Sequence, residues 1–228
     1  MRSALDRRRH VARTGRERAV RGAQAQPASA DQPGKIPARA VIDKCRRCDL
    51  WRRATQGVAG AGPPRADVML IGEQPGDQED RAGLPFVGPS GKMLDRLMDE
   101  AGLDRSVCFV TNAVKHFKWE SRGKRRLHRR PNVTEIEACF PWLEQEIAAL
   151  QPRVIILLGA TAARSLLHRT AAIESLRGRA LVHASGARIF ATYHPSALLR
   201  ADEGAQRLRA ALVHDLKRAV RALEDLGR

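Results

Sequence analysis

Short apolar runs alternate with amphipathic stretches along this chain from residue 67 onward. Four of the runs are almost wholly apolar or β-branched, which predicts strands buried on both faces of a sheet. The predicted strands are 67–71, 107–111, 154–158 and 188–192. The predicted helices are one that Ser90 caps and Gly102 ends, one from a Thr134–Glu137 capping box to about Leu150, one that follows Gly159 and ends at Leu167, and one over 203–226.

Strands and helices that alternate in this way predict a three-layer α/β/α fold around a central, mostly parallel sheet of four strands. In such sheets the ligand binds beyond the carboxyl ends of the strands. This rule selects the loops 72–76, 112–116, 159–161 and 193–196 as the walls of a binding site. Three of these loops carry polar side chains that can do chemistry, so we expect the functional site there.

The charge balance indicates the class of partner. The 228 residues carry 41 Lys and Arg against 25 Asp and Glu, a formal net charge of +16. A polyanion is the simplest partner, because phosphate contacts release bound counterions, although an anionic membrane surface or a ribosomal partner would also suit. Residues 1–38 contain almost no large apolar side chains, which predicts a disordered basic arm before a single domain over 39–228. The arm is either a solvated tail or a DNA tether.

The expected compartment and the spacing of the cysteines together indicate what the cysteines do. No apolar run reaches the roughly 18 residues of a membrane span, and the arginine-rich N-terminus lacks the apolar core of a secretory signal. We therefore expect a cytoplasmic protein. In that compartment the pair Cys45-x-x-Cys48 indicates metal or cluster ligation, because it precedes every predicted strand and so lacks the context of a thioredoxin motif.

Two of the strand-end loops have distinctive sequences. The first begins Gly72-Glu73-Gln74-Pro75-Gly76-Asp77 and continues through Phe86. Its glycines and prolines predict a rigid backbone close to a ligand, and phosphate binding would explain them equally, but the Lys-Ser/Thr ending of a nucleotide-binding P-loop is missing. The second loop, Tyr193-His194-Pro195-Ser196, places a histidine directly after a strand, which favours a catalytic role over a structural one.

The segment 123–130 is strongly basic and carries one histidine, His128. Most basic segments are solvated faces or phosphate-binding patches. The predicted phosphate contacts are Lys124, Arg125, Arg126 and Arg129. The segment lies between His116 and Cys139, two potential ligands of a metal or cluster. Taken alone, it favours a DNA-binding loop with an incidental histidine.

Together these residues resemble the uracil-DNA glycosylase superfamily over roughly residues 40–225. The Glu73 loop is similar to the first motif of the iron–sulfur (family-four) branch, and His194-Pro195-Ser196 is similar to the second. Family-four enzymes carry alanine where Gln74 stands and Lys-Cys where this chain has Lys115-His116. These differences, with the run Lys124-Arg125-Arg126-Leu127-His128, resemble the UdgX class, which binds uracil-containing DNA covalently through the histidine of this loop.

The resemblance implies that a monomer excises uracil from single-stranded DNA. His194 would stabilise the negative charge that develops on the uracil O2, Asn112 would read the O4 and N3 edge, and Phe86 would stack on the flipped base. Glu73 would stabilise the sugar cation or orient a nucleophile. Gln74 would belong to the catalytic set. The other implied substrate contacts are Gly72, Gly76, Asp77 and Ser196.

In a hydrolytic relative, water would attack the sugar C1′. Here an imidazole nitrogen of His128 can take that place and form a C–N bond that no obvious step releases. Two alternatives stay open. One is a conventional turnover glycosylase in which His128 only grips DNA, and the other is a non-catalytic zinc or iron–sulfur module that binds nucleic acid.

Cys45, Cys48 and Cys139 match three cluster-ligand positions of the family, and His116 occupies the fourth by motif position. Cys108 is the rival for that place, although it lies inside a predicted strand, where a buried structural cysteine is common. The residues alone would suit zinc held by three Cys and one His. The resemblance favours a 4Fe–4S cluster that holds the basic segment between its ligands.

Overall fold

The computed structural model describes residues 18–19 and 34–227, so most of the predicted disordered arm lies outside the described residues. The strands are β1 Arg18–Ala19, β2 Val68–Gly72, β3 Cys108–Asn112, β4 Trp119–Arg122, β5 Arg125–His128, β6 Val154–Leu158, β7 Leu181–Val182 and β8 Arg188–Thr192. The α-helices are α1 Arg39–Asp43, α2 Asp77–Ala82, α3 Pro89–Ala101, α4 Val133–Leu150, α5 Ala160–Leu167, α6 Ile173–Leu176 and α7 Ala205–Leu226. Short 3-10 turns lie at Asp49–Arg52, Arg105–Val107 and Pro195–Arg200.

A parallel sheet in the order β3, β2, β6 and β8 forms the centre of the fold. The four predicted strands are these four, so the mostly parallel α/β sheet is confirmed. At one edge β7 pairs antiparallel to β8, and β1 pairs parallel to β7. These two additional strands have two residues each, which is too short to produce a hydrophobic pattern in the sequence.

Each face of the sheet has its own apolar core. Met69 and Ile71 of β2 pack with side chains of α4 and α5, whereas Val68 and Leu70 pack with side chains of α3 and α7. Because alternate residues of a strand point to opposite faces, a strand covered on both sides must be apolar throughout. Every residue of β2, β3 and β6 is buried, as this requires.

Two helix starts differ from the sequence prediction. Gly88, not Ser90, is the N-cap of α3, and Pro89 occupies the first helical position, where its fixed φ suits the helix. Asn132 and Glu135, not Thr134 and Glu137, form the capping box of α4. The Asn132 side chain accepts from the Glu135 N–H at 2.9 Å, and the Glu135 carboxylate accepts from the Asn132 N–H at 2.7 Å. The predicted end of α3 at Gly102, with φ 73°, is confirmed.

The basic segment is a β-hairpin and not an irregular loop. Strands β4 and β5 pair antiparallel, with Arg122 opposite Arg125, so Gly123 and Lys124 form a two-residue turn. Gly123 has φ 60°, the left-handed conformation that such turns favour. The alternation along β5 puts Arg126 and His128 on one face and Arg125 and Leu127 on the other.

Within the described part of the chain, no helix has the length and apolar character of a membrane span.

Candidate active site

A cavity of about 760 Å³ opens at the carboxyl ends of the parallel strands. Glu73, Asn112, Gly159 and His194 line it, one from each of the four loops that the sequence selected. The strand-end rule therefore located the cavity correctly. The hairpin adds His128 to its wall, which the strand order alone did not predict.

The conformation of the first loop allows two side chains to meet at the cavity wall. A Cβ at Gly72 would lie 2.4 Å from Asn112 Oδ1 and 2.6 Å from the Phe86 ring, so only glycine fits between them. Phe86 has φ 57°, a left-handed conformation that an aromatic residue adopts at a cost in energy. Its ring lies 6.3 Å from the His194 ring at an angle of 25°. A flat base can stack against a ring held in this way.

His194 is held as a neutral hydrogen-bond donor. Its Nδ1 accepts from the Ser196 backbone N–H at 3.1 Å and contacts the Ser196 hydroxyl at 2.8 Å. Burial lowers the pKa of His194 to about 4. Because a backbone N–H can only donate, Nδ1 is the acceptor and the neutral ring carries its proton on Nε2. Ser196 therefore acts behind the histidine, and Arg200 donates to the Ser196 hydroxyl at 3.1 Å.

Glu73 is an ionised carboxylate at the centre of the site. The hydroxyl of Thr161 donates to Oε2 at 2.5 Å, and Nε2 of His128 lies 3.1 Å from Oε1. Burial opposes ionisation, but the hydrogen bonds from His128 and Thr161 outweigh it and lower the pKa of Glu73. Sequence reasoning missed Thr161 as a partner of Glu73, although it selected the loop that contains it.

Gln74 joins the first loop to the basic hairpin. Its side-chain N–H groups donate to the carbonyls of Lys118 at 3.1 Å and Arg129 at 3.0 Å, and its carbonyl accepts from the Lys118 N–H at 3.1 Å. Lys118 and Arg129 lie at the open end of the hairpin, where the backbone N–H of Arg129 donates to the Lys118 carbonyl at 2.9 Å. The geometry thus gives Gln74 a positioning role at the hairpin, while its catalytic role stays a prediction.

Arg126 anchors the middle of the hairpin. Its guanidinium lies 2.5 Å from Asp77 and 2.6 Å from Asp80, and its side chain is only 14 % exposed. Asp80 is fully buried and also accepts from the Thr55 N–H at 2.9 Å. This arrangement differs from the expected phosphate contact at Arg126 and the expected substrate contact at Asp77, because each group is already paired with the other.

The other predicted phosphate contacts lie on the surface. Lys124 and Arg125 are exposed at the tip of the hairpin, and Arg129 is exposed while it pairs with Glu120 at 2.9 Å. Gly76 contributes backbone and no ligand group, since its N–H donates to the Glu79 carboxylate at 3.1 Å. Sequence reasoning missed Glu79, whose other oxygen accepts from the Gly88 N–H at 2.8 Å and so closes the loop.

Comparison with known proteins agrees with this geometry. Residues 59–217 match the model of the uracil DNA glycosylase superfamily. The chain belongs to the uracil-DNA glycosylase superfamily. It is 35 % identical to the type-4 uracil-DNA glycosylase of Sulfurisphaera tokodaii over 166 residues, 69 % of this chain and 72 % of the relative. It is 32 % identical to that of Thermotoga maritima over 179 residues, 78 % of this chain and 88 % of the relative. A type-5 uracil-DNA glycosylase of Pyrobaculum aerophilum is 27 % identical over 183 residues, 73 % of this chain and 77 % of the relative.

Three cysteines of this superfamily member are connected through one small apolar cluster, since Cys48 and Trp142 pack against the cluster that contains Cys139. The pKa of Cys139 is raised to about 12 by burial and, to a smaller degree, by the negative charge of Cys45 and Cys48. The Trp142 indole donates to Cys45 Sγ at 3.2 Å, and the Lys115 N–H donates to Cys139 Sγ at 3.2 Å. Among the residues that the structure describes, no three His, Cys, Asp or Glu side chains are close enough to hold a single metal ion.

The two rivals for a fourth ligand have different surroundings. His116 is buried, burial lowers its pKa, and Asp43 and Arg46 from the Cys45 segment are among its charged neighbours. Cys108 packs instead in the core between the sheet and α3 and donates to the Asp104 carbonyl at 3.1 Å. Burial raises the pKa of Cys108 to about 12, and the charges that act on it are those of Arg105 and Asp104.

Proposed function

We propose that this protein excises uracil from single-stranded DNA as a monomer and remains covalently joined to the sugar C1′ through His128. The membership in the superfamily supports uracil excision. The observation that carries the covalent step is the position of His128 Nε2, 3.1 Å from Glu73 Oε1 on the wall of the same cavity as His194. Product capture of this kind also agrees with the resemblance to the UdgX class.

Recognition of the base uses groups on three sides of the cavity. A flipped uracil would stack on Phe86 and present its O4 and N3 edge to the amide of Asn112. The amide carbonyl accepts from N3–H and the amide N–H donates to O4, whereas cytosine would offer an amino group at that position. His194 then faces O2 with its Nε2 proton.

Cleavage breaks the bond between C1′ and the uracil nitrogen, and the electron pair leaves with the base. The neutral His194 donates to O2, where the negative charge collects, so the leaving group is stabilised without a proton transfer. Positive charge develops on the sugar ring at the same time. The ionised carboxylate of Glu73 stabilises that charge.

Attack on C1′ requires a lone pair on an imidazole nitrogen of His128. In the present contact Nε2 donates to Glu73, so the carboxylate first stabilises the sugar cation and then accepts that proton from a doubly protonated ring as the new bond forms. The ring keeps its Nδ1 proton, and the freed lone pair on Nε2 forms the bond to C1′. The product is an alkylated imidazolium, which loses its Nδ1 proton to water. Glu73 passes the proton that it accepted to the solvent, the uracil anion gains one proton, and one net proton is released.

The attachment of the hairpin supports a nucleophile over an incidental histidine. Gln74 holds its open end, and Arg126 holds its middle against Asp77 and Asp80. A reacting group gains most when its geometry is fixed before reaction. We infer that Lys124, Arg125 and Arg129 bind phosphates around the site.

We further propose that Cys45, Cys48, Cys139 and His116 hold a 4Fe–4S cluster. Cys48 packs against the apolar cluster that contains Cys139, and Trp142 of the same cluster donates to Cys45 Sγ, which supports a shared site for the three thiols. The N–H donors on Cys45 and Cys139 are of the kind that surrounds cluster sulfurs. The environment of His116 favours it over Cys108 as the fourth ligand. The cluster would have a structural role, joining the Cys45 segment to α4.

One gel experiment tests the covalent step. The protein is incubated with a labelled single-stranded oligonucleotide that contains one uracil, and a thymine oligonucleotide serves as the control. We expect a denaturant-resistant band of lower mobility, free uracil by mass spectrometry, and no such band with His128→Ala. Free abasic DNA with unmodified protein would indicate a turnover glycosylase instead. An intact base would indicate a non-catalytic module.

A further inference from the structure

A buried ion pair lies directly behind the proposed uracil-reading residue. Lys115 Nζ and Glu146 Oε2 are 2.7 Å apart, and both side chains are fully buried. Lys115 also donates to the Thr111 hydroxyl at 2.6 Å and to the Asn112 backbone carbonyl at 3.0 Å. All three ammonium protons are therefore used, and none is available to a ligand.

The ion pair is expected to contribute little to the stability of the fold. Removing two charges from water costs several kcal/mol per ion, and apolar residues of similar volume often serve as well or better. An ion pair forms hydrogen bonds of defined geometry, which an apolar pair cannot form. Here its hydrogen bonds fix the peptide that follows Asn112.

That peptide is bonded to Gly72, and the next peptide along the chain is bonded to Glu73. The N–H of Ala113 donates to the Gly72 carbonyl at 3.0 Å, and the N–H of Val114 donates to the Glu73 carbonyl at 3.0 Å. The backbone of Asn112 is thus held from one side by β2 and from the other by Lys115. A shift of Lys115 would move both groups that face the base and the sugar.

The same residue contacts the proposed cluster site. The backbone N–H of Lys115 donates to Cys139 Sγ at 3.2 Å. Cys139 and Glu146 both belong to α4, seven residues apart, which places them on one face two turns from each other. Glu146 Oε1 also accepts from the Gly60 N–H at 3.2 Å. Lys115 is therefore fixed to α4 at both its backbone and its side chain.

We propose that the Lys115–Glu146 pair is a positioning element that holds Asn112 and the Glu73 backbone in place for uracil excision and fixes them to the helix that carries Cys139. The proposal rests on the proposed function for its catalytic consequence. The pair touches no substrate, so its effect is on the geometry of Asn112. Loss of the pair should lower the rate of uracil release from the protein–DNA complex and leave DNA affinity unchanged.

The test uses Lys115→Met, Glu146→Met and the double variant, with Arg209→Met/Glu100→Met as the matched control. The control removes an ion pair of 2.6 Å between exposed parts of α7 and α3. Single-turnover uracil release is measured at saturating protein, and DNA affinity and thermal unfolding are measured beside it. Each single variant leaves an unpaired buried group and should lose stability, while the double variant should recover most of it.

We expect uracil release to fall at least tenfold in both single variants and to stay low in the double variant, with unchanged affinity for DNA. A role in stability alone predicts that the rate recovers together with the unfolding temperature, and that result would overturn the proposal.

Hydrogen exchange of residues 110–116 gives a readout that needs no activity. It should be faster in the double variant and unchanged in the control, and unchanged exchange in the double variant contradicts the positioning role. A wild-type protein that releases no uracil would contradict the proposed function alone.

Discussion

The base-binding cavity and the basic hairpin are held in place by different forces. Asn112 ends β3 and His194 follows β8, and the side chains of both strands pack in the apolar cores of the sheet. The hairpin is mostly exposed along both strands, and a few directional bonds from Gln74 and Arg126 attach it. Binding of the base should survive changes that displace His128, because different contacts hold the two regions. Excision and covalent capture are therefore separable, and mutations can test this.

The largest effect is expected at Glu73, which serves both regions. Glu73→Gln keeps a hydrogen-bonding group near His128 but removes the base and the negative charge. We expect capture to slow by roughly 10²–10⁴-fold, the range of a general base. Rapid-quench measurement of the crosslink checks this, with Glu120→Gln on the exposed face of the hairpin as control. Capture within a few-fold of wild type would exclude Glu73 as the base.

The second prediction concerns the cavity region and its pH dependence. The pKa of His194 is about 4 in the folded protein and about 6.5 when unfolded, so the unfolded chain binds more protons between these values. The free energy of unfolding should therefore decrease as the pH falls from 6.5 to 4, by roughly 3 kcal/mol at most, and level off below.

Denaturant unfolding across this pH range measures the effect. The variant His194→Asn should lose this pH-dependent component, while His214→Asn, which alters an exposed histidine of α7, should keep it. Equal slopes for His194→Asn and wild type would show that the histidine titrates alike in both states.

The third prediction separates the hairpin from the cavity. Arg126→Met removes the cation between Asp77 and Asp80 and should let the hairpin move. Because a displacement of about 1 Å can cost 10²-fold, we expect capture to fall by roughly 10–10²-fold and uracil release to fall much less. Arg221→Met, at an exposed site on α7, is the control. Parallel losses of release and capture would mean that the two regions are not separable.

The smallest effect is expected at the tip of the hairpin. Lys124→Ala and Arg125→Ala should each weaken binding of single-stranded DNA a few-fold and reduce the salt dependence by about one phosphate contact. Fluorescence anisotropy at several salt concentrations with a uracil-free oligonucleotide gives both values. Arg221→Ala, at an exposed site on α7, should change neither. An unchanged salt slope in the hairpin variants would place the DNA elsewhere.

The elements that could be predicted from the sequence are those whose pattern lies within a few neighbouring residues. Strand β6 was predicted with its observed bounds because five consecutive apolar residues have one stable environment, the centre of a covered sheet. The predicted cap of α4 was wrong because Asn132 and Thr134 both carry capping side chains, and the backbone is extended at Asn132 (φ −82°, ψ 174°) but already helical at Thr134. The hairpin was missed because charged residues dominate β5 and leave no apolar alternation.

The sequence by itself determined the parallel sheet, the loops that surround the cavity, and the resemblance to the superfamily that the family match then confirmed. These follow from periodicity and from residue types at fixed spacing. Only the tertiary structure decided that His128 lies against Glu73, that Gln74 and Arg126 hold the hairpin, and that Lys115 and Glu146 pair behind Asn112. These contacts join residues 31 to 55 positions apart. Nothing in a charged residue's local sequence reveals which distant partner it will meet.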